Sequence, residues 1–170
     1  MLAISAFSLS PLQAQQGNEA QKAYYTAIAA ESAGNISAAK AAYEKALKLN
    51  PRHAQARFRL GQLKVNGHKI VAKAQERKIG GVMIPEYRVN DASCPEAVRA
   101  LGMQIENATK EQKEPVTPNF VIQDPKGELA AAKVTLNMKS IPAGELLNYL
   151  LEMAKAKARY DKHAVVIMPR

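Results

Sequence analysis

The pattern of apolar residues changes at Ile79-Gly80-Gly81, and this change limits the chain to a fold with two dissimilar parts. Before it, residues 18–78 are rich in Ala, Glu, Lys and Leu, which favour helices. After it, short runs alternate apolar and polar side chains, a period of two that predicts strands. The sequence therefore predicts an α+β protein in which a helical region, 18–78, precedes a mixed domain, 82–169.

Composition excludes several classes of protein. The 170 residues contain no run of 18 apolar residues, so we expect no transmembrane helix. A single cysteine, Cys94, excludes a disulfide framework and a Cys-rich zinc module. The net charge of +9 belongs to the helical region, because residues 15–78 hold 12 basic and 4 acidic side chains, whereas residues 79–170 hold 12 and 11.

Residues 1–14 predict the end of an export signal. Residues 2–12 are apolar, Ser-rich and uncharged, and Leu12-Gln13-Ala14 leads into the polar pair Gln15-Gln16. The basic start of such a signal is missing, although a start codon further upstream would supply it. The alternative is a disordered or helical N-terminus of a cytosolic protein. We expect an exported, periplasmic protein.

Two helices joined by a tight turn are predicted for residues 18–49, because Gly34-Asn35 interrupts the helix formers and Asn50-Pro51 ends them. Small and aromatic residues recur here at set offsets: Ala27, Ala39, Tyr43, Ala46 and Pro51. This spacing resembles a tetratricopeptide repeat. Leu60-Gly61 resembles the start of a second unit, within a connecting helix over 53–78. About three repeats are usually needed for stability, so we expect another surface to cover this one.

The mixed domain is predicted to have the order β-α-β-β-α-β-β. Its strands lie at 82–89, 120–122, 133–139, 158–162 and 164–168, and its helices at 93–108 and 145–157. Ser93 and Glu96 form a capping box at the first helix. A shift of 49 residues aligns the first strand and helix with the later pair, so we expect two similar units with both helices on one face of a small mixed sheet.

The runs 84–93 (IPEYRVNDAS), 134–142 (VTLNMKSIP) and 164–169 (AVVIMP) resemble the short N-terminal domain of secretins and TonB-dependent receptors. The likeness covers residues 82–169, and tetratricopeptide helices precede such domains in some exported bacterial proteins. It implies a periplasmic, non-catalytic module that binds envelope proteins such as secretin-like or outer-membrane components. No pore or receptor barrel follows within these 170 residues, so its target is open.

The residues themselves offer little for catalysis. His53, His68 and His163 lie in unrelated segments and lack a ligand at helical spacing, which argues against a metal site. Cys94 begins a helix, where a thiol can become reactive, but a small packing residue is the commoner role. No glycine-rich phosphate loop is present. We therefore expect no enzyme activity, no metal and no cofactor.

Two surfaces are candidates for binding protein. One is a groove of the helical hairpin formed by Tyr24, Ala27 and Tyr43 beside a basic ridge that includes Arg57 and Lys64. The other is an open sheet edge that accepts a partner strand, and that also allows a homodimer. For this edge we expect one of two strands, formed by Phe120, Val121 and Ile122 or by Val165, Val166 and Ile167.

The basic ridge supports a second hypothesis. It could bind nucleic acid or an anionic membrane, or be an ordinary solvated helix face. Only Phe58 is available among the basic residues for stacking on bases, so we expect no specific nucleic-acid partner.

Overall fold

A computed structural model describes residues 11–170, with side chains from Gln15 onward. The predicted export signal, 1–14, therefore lies outside the described residues except for the backbone of the last four. The described chain has six helices and five strands, so the protein is α+β, as predicted. In order they are α1 (Pro11–Ser32), α2 (Ile36–Leu49), α3 (Ala54–Gly80), β1 (Met83–Ser93), α4 (Cys94–Thr109), β2 (Phe120–Ile122), α5 (Glu128–Ala131), β3 (Lys133–Pro142), α6 (Ala143–Met153), β4 (Ala156–Tyr160) and β5 (Val165–Pro169).

The chain divides into two compact units, one ending at Val71 and the other spanning Ala72–Arg170. The division falls inside α3, about two turns before the end of that helix. The last turns of α3 therefore belong to the C-terminal unit, although their helical sequence grouped them with residues 18–78.

Local signals fix the helix ends in the N-terminal unit. Gly34 has a φ of +76°, a left-handed conformation that glycine adopts without strain, and it turns the chain after α1. Asn35 begins α2 with its side-chain oxygen accepting a hydrogen bond from the Ala38 amide at 3.0 Å. The predicted pair of helices is therefore present with the predicted turn.

The core of the N-terminal unit is built from small residues around two aromatic rings. Its buried members are Ala23, Tyr24, Ala27, Ala39, Tyr43, Ala46, Ala56 and Leu63. Because alanine side chains are short, the helix backbones approach closely, and the rings of Tyr24 and Tyr43 lie 5.9 Å apart between centroids.

One carboxylate links the three N-terminal helices. Glu31 on α1 accepts a hydrogen bond from the Tyr43 hydroxyl of α2 at 2.6 Å and one from the Arg59 guanidinium of α3 at 3.0 Å. Burial raises the pKa of Tyr43, and the carboxylate of Glu31 raises it further, so the hydroxyl stays protonated and donates.

The C-terminal unit follows the predicted order of strands and long helices, with the short helix α5 in addition. The prediction of one mixed sheet was wrong, because the five strands form two sheets. β1 pairs antiparallel with β3, while β2, β5 and β4 form a three-stranded sheet in that order. The helices contact both sheets, α4 through β1 and β2, and α6 through β3 and β4.

α6 has a broad apolar surface that packs on several elements. Its buried residues are Ala143, Leu146, Leu147, Leu150 and Leu151. On a helix with 100° between successive residues these side chains cover an arc of about 140°. This surface contacts α4 as well as β3 and β4.

The predicted internal repeat is visible in the backbone. Asp91 in β1 and Ser140 in β3 lie 49 residues apart, and both have a φ of +49°. The helix caps that follow, Ser93 and Pro142, are also 49 residues apart. Each of the two repeats is thus a strand with a left-handed residue near its end, followed by a helix. Only the first repeat has the capping box of Ser93 with Glu96.

The C-terminal unit has a core of branched aliphatic side chains, among them Leu101, Ile105 and Leu147. Tyr87 crosses this core, and its hydroxyl donates to the buried carbonyl of Ala97 at 2.6 Å. The end of α3 contributes Ile79. Beside it, Gly80 and Gly144 let α3 and α6 approach closely, because a Cβ on Gly144 would lie 3.0 Å from the Gly80 Cα.

Candidate functional site

The predicted hairpin groove is occupied by core residues. Tyr24, Ala27 and Tyr43 are all buried between the helices. They therefore expose almost no surface to a partner, and their role is packing.

The basic ridge is exposed as predicted. Arg57 and Lys64 both lie on the surface of α3, and the Arg57 Nη2 donates to the Pro51 carbonyl at 2.5 Å. Two large apolar side chains accompany them, Phe58 at 67% exposure and Val65 at 72%. The ridge is therefore partly apolar, which the charge pattern alone did not indicate.

One of the two predicted edge strands is not an edge. Val165, Val166 and Ile167 are buried in β5, which pairs with β2 on one side and with β4 on the other. All their ladder positions are taken, so this strand cannot accept another chain, and the prediction for it was wrong.

The other predicted strand, β2, is an edge. Phe120 and Ile122 are half-buried and Val121 is 38% exposed, and the strand pairs only with β5. It is three residues long, so it offers a partner few backbone groups.

β4 is the second edge of the three-stranded sheet, and the sequence analysis did not select it. The Asp161 amide donates to the Ala164 carbonyl and the Arg170 amide to the Lys155 carbonyl. Backbone groups alternate in direction along an antiparallel strand, so those of Ala158 point away from β5, as do those of Tyr160. At the far end the Arg170 Nε donates to the outward Ala156 carbonyl at 3.0 Å.

This open edge lies along a groove of about 730 Å³. The last turn of α3 contributes Glu76 and Gly80 to its wall, and α6 contributes Glu145 and Glu152. Burial raises the pKa of Tyr160, and the negative charge of Glu76 adds to this effect. The groove thus joins an open strand edge to three glutamates, with Lys157 and Arg170 also in its lining, and an arrangement of this kind is suited to binding an extended chain.

Cys94 is not activated for chemistry. The side chain is fully buried at the start of α4. Burial raises the pKa of its thiol, and the carboxylate of Asp124 raises it further. A reactive cysteine needs a lowered pKa and access to solvent, so packing explains this residue.

The described residues contain no group of His, Cys, Asp and Glu side chains able to hold a metal ion. Among the helices from Pro11 onward, none combines the length and apolar character needed to span a bilayer. Comparison with protein-family models, with curated proteins and with solved structures gave no significant match for this chain.

Proposed function

We propose that residues 72–170 form a non-enzymatic recognition module that binds an extended segment of another protein along the free edge of β4. One observation carries the proposal. β4 is a five-residue edge strand whose outward N–H and C=O groups at Ala158 and Tyr160 face an open groove. An added strand would pair with these groups, and backbone pairing of this kind supplies affinity while side-chain pockets supply specificity.

β4 is better suited to this role than β2. It is five residues long against three, and its groove of about 730 Å³ exceeds the hollow of about 260 Å³ beside β2. The exposed Lys157 and Arg159 alternate along β4. Because two β4 strands paired antiparallel would bring these like charges together, the edge favours a different protein over a second copy.

We further propose that the module belongs with the secretin and TonB-receptor short N-terminal domains, and that α1, α2 and the start of α3 are tetratricopeptide-like. The repeated strand and helix units support the first likeness. The buried Ala27, Ala39 and Ala46 at the helix contacts support the second. On this basis the chain acts in the periplasm as an adaptor for an envelope assembly such as a secretin-type system.

The test is site-specific photo-crosslinking in cells of the source organism, with the crosslinking residue at Lys157 on β4. A matched position is Asn137, exposed on the two-stranded sheet. We expect one protein of the cell envelope to be captured from position 157 and not from position 137. The captured chain should begin near Gln15, as export predicts.

The variant Ala158→Pro then tests strand addition. It removes an outward N–H while leaving the ladder to β5 intact, and proline is tolerated at such edge positions. We expect the circular dichroism spectrum to be unchanged and crosslinking to fall at least about tenfold. Ala158→Ser, which keeps the N–H, is the control. Equal crosslinking by the Pro and Ser variants, or capture of nucleic acid alone, would contradict the proposal.

A further inference from the structure

α3 carries an exposed apolar stripe with a basic border. Phe58 and Val65 are 67% and 72% exposed, and Gly61 lies between them with open space around its Cα. Arg57 and Lys64 follow one side of the stripe, seven residues apart. Within the described part of the chain neither forms an ion pair with a carboxylate. We call these five residues the α3 stripe.

α6 carries a similar stripe with an acidic border. Tyr149 and Met153 are 46% and 45% exposed. Glu145 and Glu152, which also line the β4 groove, follow one side, again seven residues apart, and neither is ion-paired among the residues from Gln15 onward. We call these four residues the α6 stripe.

We propose that the α3 stripe of one copy of this chain binds the α6 stripe of a second copy, with the two helices antiparallel. A separation of seven residues is about 10.5 Å along any α-helix, so the two pairs of charges match in spacing. The antiparallel arrangement places Arg57 opposite Glu152 and Lys64 opposite Glu145.

The apolar residues match in the same arrangement. At 100° per residue, the apolar side chains of each helix lie to one side of its two charged residues. In both helices this is the side reached by turning about the axis in the direction of rising residue number. Antiparallel packing therefore sets apolar against apolar and basic against acidic. It also brings Tyr149 to within one residue, about 1.5 Å along the axis, of Gly61, so that its ring enters the gap between Phe58 and Val65 as a knob enters a hole. Met153 then lies beside Phe58.

Charge favours the α6 stripe of a second copy over other surfaces of the chain as the partner of the α3 stripe. Two α3 stripes facing each other would bring Arg57 and Lys64 against like charges, and two α6 stripes would do the same with their glutamates. Residues 1–10 contain no charged side chain, so they cannot match the basic border. The α6 stripe of another copy supplies both the apolar and the acidic groups.

Contact of two short helical segments buries less surface than a stable interface needs, so we expect a weak association. Because two different surfaces meet, a copy bound through one stripe can bind a further copy through the other, which is the head-to-tail kind of contact. The full chain should therefore sediment as a monomer at micromolar concentration and as growing oligomers at several hundred micromolar.

A charge exchange tests the pairing. The first variant combines Arg57→Glu with Lys64→Glu, and the second combines Glu145→Lys with Glu152→Lys. Each variant alone would place like charges in the interface, so we expect its association to weaken at least about tenfold. A mixture of the two variants should associate again, because the unchanged α6 stripe of the first still matches the unchanged α3 stripe of the second, and the two reversed stripes also complement each other.

Matched variants control for net charge. Lys110→Glu with Lys113→Glu, and Glu106→Lys with Glu111→Lys, change the charge equally at exposed positions outside both stripes. Measured in 150 mM salt, neither should change association, and their mixture should behave as the wild type does. A wild-type chain that stays monomeric at 500 micromolar, or a mixture of the stripe variants that does not recover, would overturn the proposal.

A second variant separates shape from charge. A Cβ at Gly61 would meet nothing within 4 Å, and leucine improves helix propensity, so Gly61→Leu should fold normally while filling the gap and weakening association about tenfold. Gly61→Ala should change it less than twofold. If the basic border instead bound anionic vesicles or DNA, only the variant with Arg57→Glu and Lys64→Glu would lose binding to them. Gly61→Leu would then have no effect on association of the chain with itself, and this result would overturn the proposal.

Discussion

The two units of this protein bury their cores by opposite means. In the N-terminal unit the buried residues are mostly alanines, with Tyr24 and Tyr43 between the helices. In the C-terminal unit they are mostly leucine, isoleucine and valine. The first core depends on how closely the helix backbones approach, and the second depends on how fully aliphatic volume is filled. The two units should therefore be sensitive to opposite kinds of substitution.

Removing volume should damage the C-terminal unit most. Leu147 is buried on α6 between the sheets, and Leu147→Ala leaves a cavity, so we expect a loss of about 2 to 5 kcal/mol in unfolding free energy. Urea denaturation followed by circular dichroism measures it. Asn148→Ala, exposed on the same helix, should change stability by less than about 0.5 kcal/mol. A small effect at Leu147 would show that this core can collapse around a missing side chain.

Adding volume should damage the N-terminal unit. Ala27 is fully buried in the hairpin, and Ala27→Leu would force α1 and α2 apart at a cost of about 1 to 3 kcal/mol. Hydrogen exchange should speed up in peptides from α1 and α2. The control is Ala29→Leu, because Ala29 is exposed on the same helix. Unchanged exchange in the Ala27 variant would mean that the alanine core is not tightly packed.

Loss of the shared carboxylate should have a smaller effect on the N-terminal unit. Glu31→Gln keeps the shape of the side chain but removes the charge that receives the bonds from Tyr43 and Arg59. We expect a loss of about 1 kcal/mol, since Arg59 is partly exposed and such pairs are screened by solvent. Glu19→Gln, on the exposed part of α1, should have no measurable effect. An equal effect of both changes would show that Glu31 does not link the helices.

At alkaline pH the buried phenol of Tyr87 should make the unfolding free energy of the protein depend on pH. Burial raises the pKa of Tyr87, so the folded state keeps the phenol proton that the unfolded chain releases near pH 10. The folded state then binds more protons, so the contribution of Tyr87 to stability should be constant below pH 10 and should be lost as the pH rises above it. Urea denaturation from pH 7 to 11 measures the slope. Tyr87→Phe lowers stability at pH 7 by removing the bond to Ala97, and its slope above pH 10 should be shallower. An unchanged slope would contradict this role of Tyr87.

The elements were predictable because their signals are local. The capping box of Ser93 and Glu96 and the turn at Gly34 each act within a few residues. The repeat of 49 residues was also readable, and it holds down to the backbone conformation of Asp91 and Ser140. Separation into two sheets was not predictable in the same way, since it depends on which strands pair across the chain.

The expectation that β5 is an edge strand was wrong although a signal against it was present. Val165, Val166 and Ile167 form an uninterrupted apolar run, which is typical of a strand covered on both sides. β4 alternates Lys157 and Arg159 with apolar residues, which is the pattern of a strand with one solvent-exposed face. Read in this way, the sequence favours β5 as the central strand and β4 as an edge.

The prediction of a binding groove in the helical hairpin was wrong for a different reason. Small residues and a tyrosine at repeat spacing mark the contacts within a helical pair. In this chain those same side chains, Ala27 and Tyr43 among them, are fully buried. Which face of α3 stays exposed depends on the elements around it, and the exposure of Phe58 and Val65 could be seen only in the folded chain.

The close approach of Gly80 and Gly144 has a practical consequence for producing the C-terminal unit by itself. Ile79 is buried in the core of this unit. A shortened chain that starts at residue 82, where the strand pattern begins, would therefore expose to solvent the apolar surface that the end of α3 covers. Such a chain should precipitate or bind hydrophobic dyes. A chain that starts at residue 72 keeps the helical cover and should remain in solution, so the useful boundary lies about ten residues before the one that the change of pattern suggests.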